Sequence, residues 1–200
     1  MRNRIEHPKV FISYAWGSED YKIKVLSFAT DLMNDGIEVI LDQWSLKEGN
    51  DTYAFMEQSA TDPTITNVLI LLDPVYEKKA NGRDGGVGTE TQIISPEIYN
   101  KVKQEKFLPV IFERGIKGEI PKPQYLKTMF HFDLTQEEKY DLEYRRLVKR
   151  LYGIEIVEKP ELGKKPSWLD ERSTIPTKTR SGYEGLKQQK SDSVKKDEFK

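Results

Sequence analysis

Glu90 follows a run of closely spaced glycines, Gly82, Gly85, Gly86 and Gly88, and stands where a helix is expected to begin. A carboxylate so placed can hydrogen-bond a sugar hydroxyl and stabilise positive charge developing on a ribose during glycosidic cleavage. It can also do no more than complement the helix dipole, and the residue taken alone favours that plainer role. Asp73, just before Pro74, reads first as a helix N-cap. Asp42, at the end of an apolar run, can cap the next turn or face a cleft. Trp44 can stack a nucleobase, an interaction worth about 1–3 kcal/mol, or pack its loop onto the core. Tyr14 and Trp16, at the exit of another apolar run, carry the same two readings. Leu46-Lys47-Glu48-Gly49-Asn50-Asp51 is polar and turn-forming, the composition of a surface loop.

Other chemistries find no support. There is no Gly-x-x-x-x-Gly-Lys-Ser/Thr phosphate loop, and Gly86-Val87-Gly88 lacks a third glycine at the dinucleotide-fingerprint spacing. His7 and His131 are isolated, and His131 lies in an apolar stretch where a packed, hydrogen-bonded histidine is expected. No Ser/His/acid set or metal-spaced cluster is visible, and with no cysteine a thiolate zinc site, a disulfide and a cysteine nucleophile are excluded.

Alternating strands and helices must position these residues. Val10–Tyr14 is a short β-rich run, and Ser18 can cap a helix whose first turn holds Glu19 and Asp20. Val25, Leu26, Ala29, Leu32 and Met33 recur at helical spacing until Gly36 ends the helix. Ile37–Leu41 is a second strand, and the loop Asp42–Asn50 leads to a helix around Asp51–Ser59. Val68–Leu72 is uninterrupted and aliphatic, the kind of strand buried on both faces of a parallel sheet. Asp73-Pro74 opens a helix towards Ala80, and Thr89–Tyr99 is expected to be helical despite Pro96. Phe107–Phe112 is a fourth strand, Met129–Phe132 belongs to a fifth, and a helix over Thr135–Tyr152 closes the series. This order predicts a doubly wound α/β fold with a parallel sheet, in which ligands bind outside the carboxyl ends of the strands. That directs attention to Ser13–Ser18, Asp42–Asn50 and Asp73–Glu90.

The 200 residues suffice for one ordinary domain with additional chain, and the composition changes near residue 160. Residues 161–200 hold eight large apolar or aromatic side chains and ten Lys+Arg against seven Asp+Glu, so +3 of charge there leaves −4 over 1–160. We read 1–153 as the domain and 154–200 as a polar linker or tail, or the start of a connector to a partner-binding region. The net charge of −1 gives no overall basic field, which argues against nonspecific binding to nucleic acid or acidic membrane. The longest wholly apolar run falls far short of the roughly 20 residues of a spanning helix, and Met1–Lys9 is polar, so a soluble, cytoplasmic protein is expected.

Four motifs in order carry a resemblance. Lys9-Val10-Phe11-Ile12-Ser13-Tyr14, Gly36 to Asp42, Leu46-Lys47-Glu48-Gly49 and Leu71-Leu72-Asp73-Pro74-Val75-Tyr76 resemble a TIR domain over about residues 8–152. Asp42-Gln43-Trp44 with Gly85-Gly86-Val87-Gly88-Thr89-Glu90 is similar to the bacterial SEFIR branch. The resemblance implies a flavodoxin-like doubly wound sheet of five parallel strands. It also implies one of two functions: an NAD glycohydrolase releasing nicotinamide and ADP-ribose or a cyclised product, or a non-catalytic signalling and assembly module. For the enzyme, Glu90 falls on the catalytic position, Ser13, Tyr14, Asp42, Trp44 and Lys47 on substrate-contacting surfaces, and NAD is the substrate with no metal or other cofactor. The family often carries Trp four residues before that glutamate, where this sequence has Gly86. Leu46, Lys47, Glu48, Gly49, Asn50 and Asp51 match the loop through which TIR domains self-associate. The N-terminal run and polar tail also resemble the TIR-APAZ subunit of short prokaryotic Argonaute systems. That implies anti-phage or anti-plasmid defence beside an Argonaute partner that binds guide and target nucleic acid.

Overall fold

In the computed structural model, which describes residues 6–82, 94–157 and 159–169, strand and helix alternate as the hydropathy pattern requires. Strand β1 (Lys9–Tyr14) leads to α1 (Glu19–Asn34), β2 (Glu38–Ile40), the one-turn helix α2 (Asp42–Ser45) and α3 (Thr52–Thr61). There follow β3 (Asn67–Leu72), α4 (Pro74–Asn81), α5 (Pro96–Lys101), β4 (Phe107–Ile111), β5 (Phe132–Asp133) and α6 (Glu137–Leu151). The five strands pair in parallel in the order β2-β1-β3-β4-β5, the flavodoxin-like arrangement expected from the sequence. The chain divides into two units, Met1–Glu158 and Lys159–Lys200. All these elements lie in the first, and the described residues of the second contain one 3-10 turn, Ser167–Leu169.

The period-two alternation of β1 distributes the core over both faces of the sheet. Val10, Ile12 and Tyr14 pack with Val25, Phe28 and Leu32 of α1 and Leu147 and Leu151 of α6. Phe11 and Ala15 turn to the opposite face, among Met56 and Ala60 of α3, Tyr76 and Ala80 of α4, and Tyr99 of α5. All six residues of β3 are buried, as a central parallel strand covered on both faces must be.

Local chemistry sets the element ends. Ser18 Oγ accepts the Tyr21 N–H, and Glu19 and Asp20 occupy the first turn of α1. At its other end Gly36 adopts φ +79° and the Gly36 and Ile37 N–H groups donate to Met33 and Leu32, which closes the helix as a Schellman motif. Asp73 caps α4 through the Tyr76 N–H with Pro74 at the first helical position. The helix expected over Thr89–Tyr99 begins, among the described residues, only at Pro96: Ile94 and Ser95 are not helical, and Pro96 opens α5, where its missing N–H costs nothing. Just before that helix, the Ile94 N–H donates to Tyr76 Oη (3.1 Å), and the Tyr125 hydroxyl donates to the Ile94 carbonyl (2.6 Å).

Three further expectations change. The stretch from Asp42 begins as the helix α2 rather than as loop, since the Ser45 N–H donates to the Leu41 carbonyl and the Leu46 N–H to that of Asp42. The fifth strand lies at Phe132–Asp133, not Met129–Phe132: Met129 closes the turn after Leu126, and only Phe132 and Asp133 reach register with Val110 and Ile111. His131 thus precedes the strand rather than lying within it. The last helix starts at Glu137, because Thr135 is engaged through both its N–H and its hydroxyl by the Asp133 carboxylate.

Candidate functional site

The carboxyl ends of β1 and β2 open onto a cleft of about 380 Å³. It is lined by Tyr14 and Trp16 from the β1 exit, Lys22 from α1, Asp42 and Gln43 from α2, and the loop 46–50. Asp42 organises it. Its Oδ2 accepts the Tyr14 hydroxyl at 3.0 Å and the Trp16 indole N–H at 2.7 Å. Gln43 Nε2 donates to Tyr14 Oη (3.1 Å) and to the Lys22 carbonyl (3.3 Å), tying α2 to β1 and α1. Asp42 is only 4% exposed, and burial pushes its carboxyl above the usual carboxylate range against the pull of the Tyr14, Gln43 and Trp16 donors. Burial and then the Asp42 charge push the Tyr14 hydroxyl up, so it remains a protonated donor.

The loop wall is held at both ends. The Lys47 N–H donates to Asn50 Oδ1 (2.8 Å), Gly49 takes φ +90°, and Asp51 caps α3 by accepting from the Tyr53 and Ala54 N–H groups. Among the described residues, no group of three or more His, Asp or Glu converges to hold a metal ion.

The SEFIR domain model matches residues 8–141, from just before β1 into α6. A crystal structure of a prokaryotic SEFIR domain aligns at 44% identity with a TM-score of 0.65, covering 78% of this chain and 99% of that one. The chain belongs to the SEFIR family. The TIR domain of the Toll-related receptor TRR-2 from Hydra magnipapillata aligns at 15% identity with a TM-score of 0.48, covering 71% of this chain and 96% of the receptor domain. No curated protein matches.

The SEFIR domain gathers Tyr14, Asp42 and Lys47 of the expected site residues in the cleft. Ser13 is buried on the opposite face of the sheet, its Oγ 3.2 Å from Tyr76 Oη. Trp44 stands outside the cleft lining and is 45% exposed. Successive helical residues are separated by about 100°, so α2 cannot present Asp42, Gln43 and Trp44 to one side. Asp73 is occupied as the cap of α4 and does not line the cleft. Glu90 lies outside the described residues. Sequence reasoning passed over Gln43 and Lys22 and left Trp16 undecided; the one signal for Gln43 was its place inside Asp42-Gln43-Trp44. Among the described residues no helix is long and apolar enough to cross a membrane.

Proposed function

We propose that this SEFIR domain cleaves the nicotinamide–ribose bond of NAD, with Glu90 as the catalytic carboxylate. The observation that supports this best is the cleft at the β1 and β2 exits, whose volume of about 380 Å³ falls within the range of small-ligand sites. It joins an indole, a phenol, an amide and the Lys47 loop at the carboxyl edge of a doubly wound sheet, where such folds place ligands. The role of Glu90 rests on its motif, Gly85-Gly86-Val87-Gly88-Thr89-Glu90. In this mechanism the bond between ribose C1′ and the nicotinamide nitrogen breaks, and its electron pair neutralises the pyridinium. Glu90 holds a ribose hydroxyl and stabilises the oxocarbenium-like sugar. Water adds at C1′ and loses a proton to give ADP-ribose, or an adenine nitrogen adds to give the cyclised product.

Nicotinamide release from NAD, measured at high protein concentration beside Glu90→Ala, tests the proposal. Release by the wild type and none by a mutant whose circular dichroism and unfolding midpoint match it is expected. Normal turnover in the mutant removes Glu90 from the site. Silence from both favours a non-catalytic assembly module, a reading supported by the half-exposed rings of Trp44 and Tyr53 on either side of the loop Leu46–Asp51. Self-association through that loop belongs to both readings. A role in defence beside a short Argonaute rests on the sequence resemblance, and co-purification with such a partner tests it.

A further inference from the structure

We propose that Trp16 is the stacking platform of the cleft, positioned by Asp42, and that it receives the planar heteroaromatic ring of a nucleotide. This rests on the reading of the cleft as a nucleotide site and adds the residue that recognises the ring. Trp16 has one polar side-chain atom, Nε1, and donates it to Asp42 Oδ2 at 2.7 Å. Its carbonyl accepts from Lys79 Nζ at 3.4 Å, and its ring packs against the core cluster beneath α1. The indole is therefore held at its edge, its backbone and one packed surface, yet it remains half-buried and lines the cleft. With its N–H consumed, what it offers a ligand is aromatic surface, and an aromatic surface held in advance binds a flat ring without first having to be ordered. Lys47 lines the same cleft with no ion-pair partner among the described residues, whereas Lys22 is paired with Glu19 at 2.8 Å. A ring carried on a sugar phosphate matches an indole beside one unpaired ammonium. Asp42 acts through Trp16 as a positioning residue: its buried carboxylate fixes the indole edge.

The experiment uses the full chain with Trp44→Phe and Trp168→Phe, which leaves Trp16 as the only one of three tryptophans. AMP and nicotinamide mononucleotide are expected to quench its emission saturably, and ribose 5-phosphate, which lacks the ring, is expected to leave it unchanged. By calorimetry Trp16→Leu should weaken AMP binding about tenfold or more, while Trp16→Phe keeps most of the affinity. Asp42→Asn should raise the KM for NAD with little change in kcat. Absent or ring-independent quenching overturns the proposal even if Trp16→Leu fails to fold, and so does AMP binding of wild-type strength by Trp16→Leu. Quenching without NAD cleavage leaves the platform standing and removes the hydrolase. Cleavage by Trp16→Leu at the wild-type KM does the reverse.

Discussion

Asp42 and Asp133 sit at opposite edges of the sheet, and burial acts on both carboxyls with opposite net results. At Asp42 burial prevails over neutral donors and the pKa rises. At Asp133 burial is outweighed by the Thr135 hydroxyl and N–H and by the Arg114 guanidinium, and the pKa falls. The signs differ accordingly. The folded pKa of Asp133 lies below its unfolded value, so its contribution is present above the unfolded pKa and is lost as pH falls through the folded one. Asp133→Asn should therefore cost about 1–3 kcal/mol at pH 7, a difference that narrows in strong acid, as urea unfolding at both pH values will report. Asp42 has a folded pKa above its unfolded value of about 3.9, so its contribution weakens as pH rises between the two. Asp42→Asn should flatten that falling limb of stability, measured as unfolding midpoint against pH. The strand exits directed attention to the stretches that hold Tyr14, Trp16, Asp42 and Lys47, and the family resemblance singled out Tyr14, Asp42 and Lys47 among them. The place of Trp16 was not legible, since it depends on a hydrogen bond to a residue 26 positions away.

Among the elements, Gly36 ties two helices together. Its φ of +79° closes α1, and a Cβ there would come within 2.9 Å of Tyr152 Oη, which donates to the Asp35 carbonyl from the residue that ends α6. Gly36→Ala should destabilise the domain by about 1–2 kcal/mol in chemical denaturation, the left-handed strain adding to displacement of that hydroxyl. Ser18, Gly36 and the Asp73-Pro74 pair could be read in advance because each acts within a turn of its own position. Helix α2 and strand β5 could not. The four residues of α2 are too few for a hydrophobic period, and β5 owes its two residues to register with β4 and to the Asp133–Thr135 contacts.

At the scale of the molecule, a doubly wound parallel sheet followed from the alternation of strands and helices around a buried aliphatic β3, while its five-stranded flavodoxin-like form was implied by the family resemblance. Which exits share a cleft needed the coordinates: β1 and β2 are neighbours only through the crossover of α1. Lys47 and Glu48 carry opposite charges on the loop beside that cleft. Lys47→Glu or Glu48→Lys should therefore weaken self-association, and sedimentation unchanged by both, where the wild type oligomerises, would remove the loop from the interface.

The sheet also ends abruptly on both sides, in three residues at β2 and two at β5. An outer strand with a long row of unpaired N–H and C=O groups templates the addition of further strands, and short outer strands withhold that template. An assembly of this domain would therefore have to be built from side chains and loops, since its sheet offers little edge on which a neighbour's strand could continue.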